Sequence, residues 1–278
     1  MAEKIKEKFM YGYTSEQFKK FKKYAWLMLL SFGFTYLFFY NGRQNINLVM
    51  GLMKEEFGST SGAIGVVTSA LFWCYAFGQL IFGFLGDRLP TRYMVFVGLL
   101  GSGILNLAIS FAPTIGMVSV FWALNGVFQS MLWSPIMKTV SQHFDGNKKV
   151  LATFALSITQ VLGYMLAWVV SYFIKSYLGW RFVFRVPALL GLTFAVIWLI
   201  LFHYDIPSQR KAQQTKGPSL IRQPVLLTFL GVIAVLSILF GLVKSSIDSW
   251  LPTMIEDMGG LSESGIVITL ILIPLLNF

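Results

Sequence analysis

The chain consists mainly of long apolar stretches separated by short polar turns. A bilayer core takes about 20 mostly apolar residues to cross, and seven stretches reach that length, while an eighth begins near residue 263. The seven lie at 25–50, 62–86, 93–113, 115–138, 151–174, 182–203 and 225–247. Only 12% of the residues are charged, against about 25% in soluble domains. We therefore predict an all-α, polytopic transmembrane helical bundle.

The basic residues are distributed unevenly between the two sides of this bundle. Of the 22 Lys and Arg residues, sixteen lie in the N-terminal tail and in the loops after spans two, four and six, and four lie on the opposite side. The positive-inside rule places the richer side in the cytoplasm. We predict a multi-pass protein of the plasma (inner) membrane with a cytoplasmic N-terminus. Anionic lipid is the expected partner of the basic excess, and we expect no nucleic-acid partner.

Other classes of protein are disfavoured by the residue types present. The first apolar stretch is too long for a signal peptide and has no small-residue cleavage site after it. The single cysteine, Cys74, permits no intrachain disulfide, and no Cys/His cluster indicates a metal. His143 and His203 fall at predicted cytoplasmic helix ends, where interfacial residues are expected. With no catalytic constellation in the sequence, we expect no enzyme activity and no cofactor.

The order of the spans indicates two helical bundles. Residues 1–204 would form a six-helix bundle with a cytoplasmic tail, and 205–224 a polar cytoplasmic linker. Residues 225–278 would begin a second bundle, which is incomplete. Two-halved transporters with parallel repeats have this organisation, so we expect about twelve spans in the whole protein and interpret the chain as a fragment. A complete eight-span protein is the alternative, but it would leave the polar faces of the second bundle uncovered.

One face of the first span is strongly polar. Tyr36, Tyr40, Arg43 and Asn47 follow helical spacing and should share one side of the helix. A charge in mid-bilayer costs roughly 2.5–3.5 kcal/mol on insertion scales, so this face suits a polar cavity better than lipid. The planar guanidinium of Arg43 can bind phosphate or carboxylate bidentately. Alternatively, Arg43 extends to the headgroups at the outer interface.

A second intramembrane cation, Lys244, lies in the seventh span at nearly the depth of Arg43. If the second bundle repeats the first, the two cations face each other and an anionic solute would bridge them. The alternative is an internal ion pair with Asp248, which is four residues further along the helix.

Polar side chains also recur in three other spans, which favours a shared polar cavity. Hydrogen bonding between helices is the alternative for each of them. These side chains are Gln79 in the second span, Asn125, Gln129 and Trp133 in the fourth, and Thr153, Ser157, Gln160 and Tyr164 in the fifth.

The cytoplasmic end of the second span carries the spacing G-x-x-x-D-R-x-x-x-R. It places Gly83, Asp87, Arg88 and Arg92 in the short turn between two spans. The glycine allows close helix approach, and the charges can pair with helix ends across the bundle and hold one conformation. An ordinary charged turn is the alternative.

Several of these stretches resemble a known family. The segment 83–92 resembles the signature loop of the major facilitator superfamily. More narrowly, residues 40–45 (YNGRQN), 128–135 (FQSMLWSP) and 249–252 (SWLP) resemble the organophosphate:phosphate antiporter family. That family contains the glycerol-3-phosphate and hexose-phosphate transporters. The resemblance covers essentially the whole chain, about two-thirds of a family member.

The resemblance implies a major facilitator fold and a secondary active transporter working by alternating access. In the family two arginines clamp the substrate phosphate; Arg43 matches the first, and the second position falls on Lys244. Gln160 stands where glycerol-phosphate members have a histidine, and Gln79 where they have a lysine, so the cavity is less positive than theirs. Tyr36, Tyr40 and Trp133 fall at positions that line the family's pathway.

The expected partner is a small anionic solute, a phosphate ester or inorganic phosphate, and the expected state is a monomer. Exchange for phosphate or proton coupling would drive transport. Two other functions remain open. One is a sensor of the same fold that binds a sugar phosphate without transporting it. The other is a facilitator for an uncharged or cationic solute, with Lys244 neutralised by Asp248.

Overall fold

A computed structural model describes residues 15–144, 146–202, 224–257 and 263–276, and all the regular structure in these ranges is helical. The helices are α1 (Ser15–Gln44), a 3-10 segment (Asn45–Leu48), α2 (Met50–Glu56), α3 (Ser61–Arg88), α4 (Thr91–Ile109), α5 (Ile115–His143), α6 (Gly146–Leu178), α7 (Phe182–Leu201), α8 (Pro224–Asp257) and α9 (Glu263–Leu276). The predicted all-α fold is confirmed.

Five of the described helices are long and apolar enough to cross a membrane. These segments are 61–86, 91–109, 115–141, 146–178 and 182–201, and they match predicted spans two to six. The membrane crossings of α1, α8 and α9 remain predictions. The predicted linker, apart from residue 224, lies outside the described residues, as do His203 and the side chain of Asp87.

Glycines let two helix pairs approach at backbone distance. A Cβ atom at Gly126 of α5 would clash with the carbonyl oxygen of Leu71 in α3. A Cβ at Gly163 of α6 would lie 3.1 Å from the carbonyl oxygen of Tyr36 in α1. Small residues of this kind are the usual contacts between membrane helices, where lipid removes the hydrophobic drive for association. The two contacts fix α3 against α5 and α1 against α6.

Large aromatic side chains fill the interior between these helices. Trp122, Trp168 and Trp198 are essentially inaccessible, and Phe32 of α1 packs on Trp198 of α7 with ring centroids 5.5 Å apart. The outward faces carry exposed apolar side chains such as Trp73. An interior of rings with an apolar exterior is the arrangement expected of a bundle in lipid.

Candidate functional site

A cavity of about 300 Å³ lies between four helices of the bundle. Its lining residues are Tyr36, Phe39, Tyr40 and Arg43 from α1, Tyr75 and Gln79 from α3, Trp133 from α5, and Gln160 from α6. All but two of these were predicted from the sequence as contacts for a solute. The two missed residues are Phe39 and Tyr75. Both lie at helical spacing from predicted ones, so extending the polar faces to adjacent aromatic positions would have found them.

Aromatic rings surround the guanidinium of Arg43. Its Cζ atom lies 4.4 Å from the ring centroid of Tyr75, 5.3 Å from that of Phe72 and 5.6 Å from that of Phe39. Cations are attracted to ring faces at such distances. Within the described ranges no acidic side chain forms an ion pair with Arg43, and its buried Nε has no hydrogen-bond partner. The rings stabilise the charge without using its N–H donors.

The rings on the α1 side of the cavity also hold one another in place. Tyr36 packs edge-on against Trp133, with centroids 5.9 Å apart and planes at 66°. Tyr40 packs against Tyr164 at 5.7 Å. Trp133 remains 40% exposed and can present its face to a solute, whereas Tyr36 is buried. The Tyr36 hydroxyl lies near Gln160 but makes no hydrogen bond of ordinary geometry.

Two amides complete the polar lining. Gln79 donates from Nε2 to the Tyr75 hydroxyl at 2.8 Å, one helical turn earlier in α3. Gln160 is half-buried on α6. Amides and phenols can donate to and accept from the hydroxyl groups of a solute. The cavity therefore combines one cation with neutral hydrogen-bonding groups and flat apolar walls.

Gln129, predicted as a solute contact, does not line the cavity. It is fully buried, and its Nε2 donates to the Gly42 carbonyl at 3.1 Å and to the Ser102 hydroxyl at 3.2 Å. The physical reason is helical drift, because each step of four residues turns the side chain by about 40°. Asn125 and Trp133 are eight residues apart and so point in directions about 80° apart. The first is buried between helices and the second lines the cavity.

The polar face of the first span ends at Arg43. The α-helix stops at Gln44, and Asn47 belongs to the 3-10 segment. Asn47 is buried and donates from Nδ2 to Gln44 Oε1 at 2.8 Å. The prediction that it shares the face of Arg43 assumed an unbroken α-helix and was wrong for that reason.

The polar stripe of the fifth span divides in the same way. Ser157 donates its hydroxyl hydrogen to the Thr153 carbonyl within α6, and Tyr164 packs against rings. Gln160 is the member of the stripe that lines the cavity.

Lys244 is half-buried on α8 and is not among the lining residues of the cavity. The alternative pairing with Asp248 involves a side chain outside the described residues. The two-cation clamp therefore remains a prediction.

The turn at residues 83–92 makes contacts within the bundle of α1 and α3 to α7. Arg92 donates from Nη2 to the Leu199 carbonyl at 3.0 Å, at the C-terminal end of α7. Lys138 of α5 donates to the Gly86 carbonyl at 2.6 Å, at the end of α3. Cations stabilise the carbonyl ends of helices. Gly83 has open space around its Cα and Arg88 is exposed. A contact of this loop with the second bundle remains a prediction.

Comparison with known proteins assigns the chain to a family. Residues 32–277 match the Major Facilitator Superfamily. The chain belongs to that superfamily. A search of solved structures agrees: a bacterial homolog of the human lysosomal transporter Spinster, in an inward-facing, occupied conformation, superposes with a TM-score of 0.70. The match covers 87% of this chain and 56% of that one at 15% identity, which supports the superfamily fold.

Curated relatives within the superfamily include phosphate-ester transporters. The glycerol-3-phosphate transporter of Bacillus subtilis is 26% identical, over 82% of this chain and 56% of its own length. A probable hexose phosphate transport protein of Chlamydia pneumoniae is 25% identical, over 62% and 38%. The membrane sensor protein UhpC of Escherichia coli is 24% identical, over 80% and 55%. The chain thus spans between 38% and 56% of these relatives.

These relatives are the ones that the motif resemblance predicted. Family and fold are those of multi-pass membrane transporters, which are not enzymes, as expected from the sequence.

Proposed function

We propose that this chain forms the solute-binding half of a secondary active transporter for a small organic anion. The solute class is an organophosphate or sugar phosphate, exchanged for phosphate. The observation that carries the proposal is the Arg43 guanidinium, held in a membrane-embedded cavity by three aromatic rings and without an ion pair to any acidic side chain of the described residues.

The chemistry of the cavity suits such a solute. An uncompensated cation inside a bilayer is costly, and a bound anion would lower that cost. Arginine binds phosphate or carboxylate with two parallel N–H donors. The Gln79 and Gln160 amides and the Tyr40 hydroxyl are positioned to meet sugar hydroxyls, and Trp133 offers a flat face to a sugar ring. The similarity to a glycerol-3-phosphate transporter and to a probable hexose phosphate transport protein supports the same class.

Alternating access would complete the mechanism. The lining residues all come from the first six helices, and transporters of this fold bind their solute between two halves that rock around a central site. Residues 1–204 would form the first half, 205–224 the linker and 225–278 the start of the second half. Lys244 would supply the second cation once the halves close. The N-terminus would be cytoplasmic in a plasma (inner) membrane, since the basic residues favour that orientation.

The test is exchange by the full-length protein in proteoliposomes preloaded with phosphate. Labelled phosphate uptake is measured against a panel of sugar phosphates, glycerol phosphate and carboxylates. We expect one class of phosphate ester to compete, and we expect Arg43→Ala to abolish exchange while Arg43→Lys retains part of it. Lys149→Ala, at an exposed position in the first turn of α6, is the matched control for loss of a basic residue. Full exchange by Arg43→Ala would refute the proposal.

A sensor is the second candidate, because UhpC matches over 80% of this chain. A sensor would bind the phosphate ester with an affinity that depends on Arg43 and would show no counterflow. If the protein transports an uncharged or cationic solute, anions will not compete for its uptake. That result would refute both functions.

A further inference from the structure

The carbonyl oxygen of Gly42, one residue before Arg43, accepts hydrogen bonds from three side-chain amides. Asn125 donates from Nδ2 at 2.9 Å, Asn106 from Nδ2 at 3.1 Å and Gln129 from Nε2 at 3.1 Å. Asn106 belongs to α4, and the other two belong to α5. All three are at most 1% exposed. We call these three amides, together with the Gly42 carbonyl, the Gly42 node.

The node coincides with the end of the first helix. In an unbroken α-helix the Gly42 carbonyl would accept from the Ile46 N–H. Here the Ile46 N–H donates to the Asn45 side-chain Oδ1 at 3.0 Å instead. The side chains of neighbouring helices thus take the place of the missing backbone hydrogen bond. The α-helix ends at Gln44, one residue after Arg43, and the 3-10 segment begins at Asn45.

Further hydrogen bonds make the node rigid. Ser102 donates its hydroxyl hydrogen to Asn125 Oδ1 at 2.6 Å and accepts from Gln129 Nε2 at 3.2 Å. Asn45 donates from Nδ2 to Asn106 Oδ1 at 3.1 Å and to the Val183 carbonyl of α7 at 3.2 Å. Buried networks in which the members support one another fix a single geometry. Three helices, α1, α4 and α5, therefore meet at the residue that precedes the cation, and Asn45 links the node to α7.

Position 42 leaves little room for a side chain. An added Cβ would lie 3.2 Å from Asn106 Nδ2 and 3.4 Å from Ser102 Oγ. The Asn106 amide would have to shift by a few tenths of an ångström to accommodate it.

The geometry points to Asn106, Asn125 and Gln129 as positioning residues for Arg43: they anchor the Gly42 carbonyl and so set where the guanidinium enters the cavity. They do not touch the solute. The inference rests on the proposed role of Arg43 in anion binding. Its test, however, reads the position of residue 43 directly and requires no transport.

The experiment uses the full-length protein with Cys74→Ser and Arg43→Cys and no other cysteine. The rate at which a negatively charged methanethiosulfonate reagent labels position 43 is compared with and without Asn125→Ala or Gln129→Ala. We expect each of these two substitutions to change the labelling rate at position 43 at least fivefold. The matched control is Asn41→Ala, because Asn41 lies beside Gly42 but donates only to the Leu37 carbonyl of its own helix. With Asn41→Ala, the labelling rate at position 43 should stay within twofold of the rate without it.

A parallel series labels native Cys74 in protein that keeps Arg43. Loosening of the whole bundle would change both sites equally and would overturn the proposal, as would an unchanged rate at position 43. If the alanine variants do not fold, Asn125→Asp and Gln129→Glu keep the side-chain size and remove the amide donors. Failure of these to fold would make the node a folding element and reject the positioning role. An absence of anion exchange would refute the proposed function and leave the labelling result standing.

Discussion

The guanidinium carbon of Arg43 lies 4.4 Å from the ring centroid of Tyr75. The two residues come from different helices, α1 and α3, which do not adjoin each other in sequence. Tyr75 also accepts a hydrogen bond from Gln79 at its hydroxyl, so its ring is held from one side while its face meets the cation. This relationship explains how a charge is kept inside a bundle without an acidic partner among the described residues.

The first prediction concerns this ring. Tyr75→Ala removes a cation–π contact of up to about 2 kcal/mol that holds the guanidinium in one orientation. Anion affinity should fall by roughly tenfold, because a mobile guanidinium must be ordered when the anion binds. Tyr75→Phe keeps the ring face and should stay within about threefold of the parent. Phosphate binding by the purified protein, measured by calorimetry, distinguishes the two. Trp73→Ala is the control, since Trp73 lies on the same helix and is 65% exposed. Equal affinity in Tyr75→Ala and the parent would contradict the cation–π role.

The second prediction concerns helix contact at Gly126. A Cβ there would clash with the Leu71 carbonyl oxygen, so Gly126→Ala must separate α3 and α5. Overpacking of this kind costs about 1–3 kcal/mol, and the Tm in detergent should fall. Gly65→Ala is the control, because nothing lies within 4 Å of its added Cβ. An unchanged Tm in Gly126→Ala would show that the contact is not tight.

The third prediction concerns pH and His143. Burial lowers the pKa of His143 to about 4, although a hydrogen bond with the Thr139 carbonyl opposes the shift. His143 follows the apolar segment 115–141 of α5. In the unfolded state the pKa of His143 is near 6.5, so between pH 6.5 and 4 the unfolded chain takes up a proton that the folded protein does not. The neutral His143 therefore stabilises the fold fully above pH 6.5, and this stabilisation is lost as the pH falls towards 4. The loss is on the order of 3 kcal/mol.

The measurement is the Tm between pH 7.5 and 4.5 for the parent and for His143→Gln, which cannot take up the proton. The parent should lose more stability than the variant over this range. If the Tm of the parent and of His143→Gln falls by the same amount with pH, protonation of His143 does not destabilise the fold.

The fourth prediction concerns the ion pair between Glu56 and Arg181 on the loops between spans. The Trp180 indole N–H and the Arg181 guanidinium both bind the Glu56 carboxylate and lower its pKa. Both partners of the ion pair are substantially exposed, so Glu56→Gln should cost less than about 1 kcal/mol. Arg181→Ala should cost more, because Arg181 also donates to the Ser110 and Ala112 carbonyls. Chemical unfolding of both variants checks the order, and a larger loss in Glu56→Gln would contradict it.

Much of the fold could be predicted from the sequence because the bilayer imposes a simple rule. Each crossing needs about 20 apolar residues in a helix, and the boundaries of 62–86 and 182–203 agree with α3 and α7 to within a few residues. Arg43 could be singled out for the same reason, since a charge at that depth is costly. Helical spacing then brought Tyr36 and Tyr40 to its side. Periodicity along one helix thus determined which side chains share a face.

The remaining features depended on how the helices meet. Gln129 and Gln79 carry the same amide, yet one donates to the Gly42 carbonyl and the other lines the cavity. Tyr75 reaches Arg43 because the fold places α3 across the cavity from α1. The sequence by itself determined five of the spans, the uneven distribution of the basic residues and the choice of Arg43 as the cation of the site. Only the tertiary structure decided which polar groups face the cavity, because the hydrogen-bond partner of a buried amide belongs to another helix whose rotation and distance no local pattern specifies.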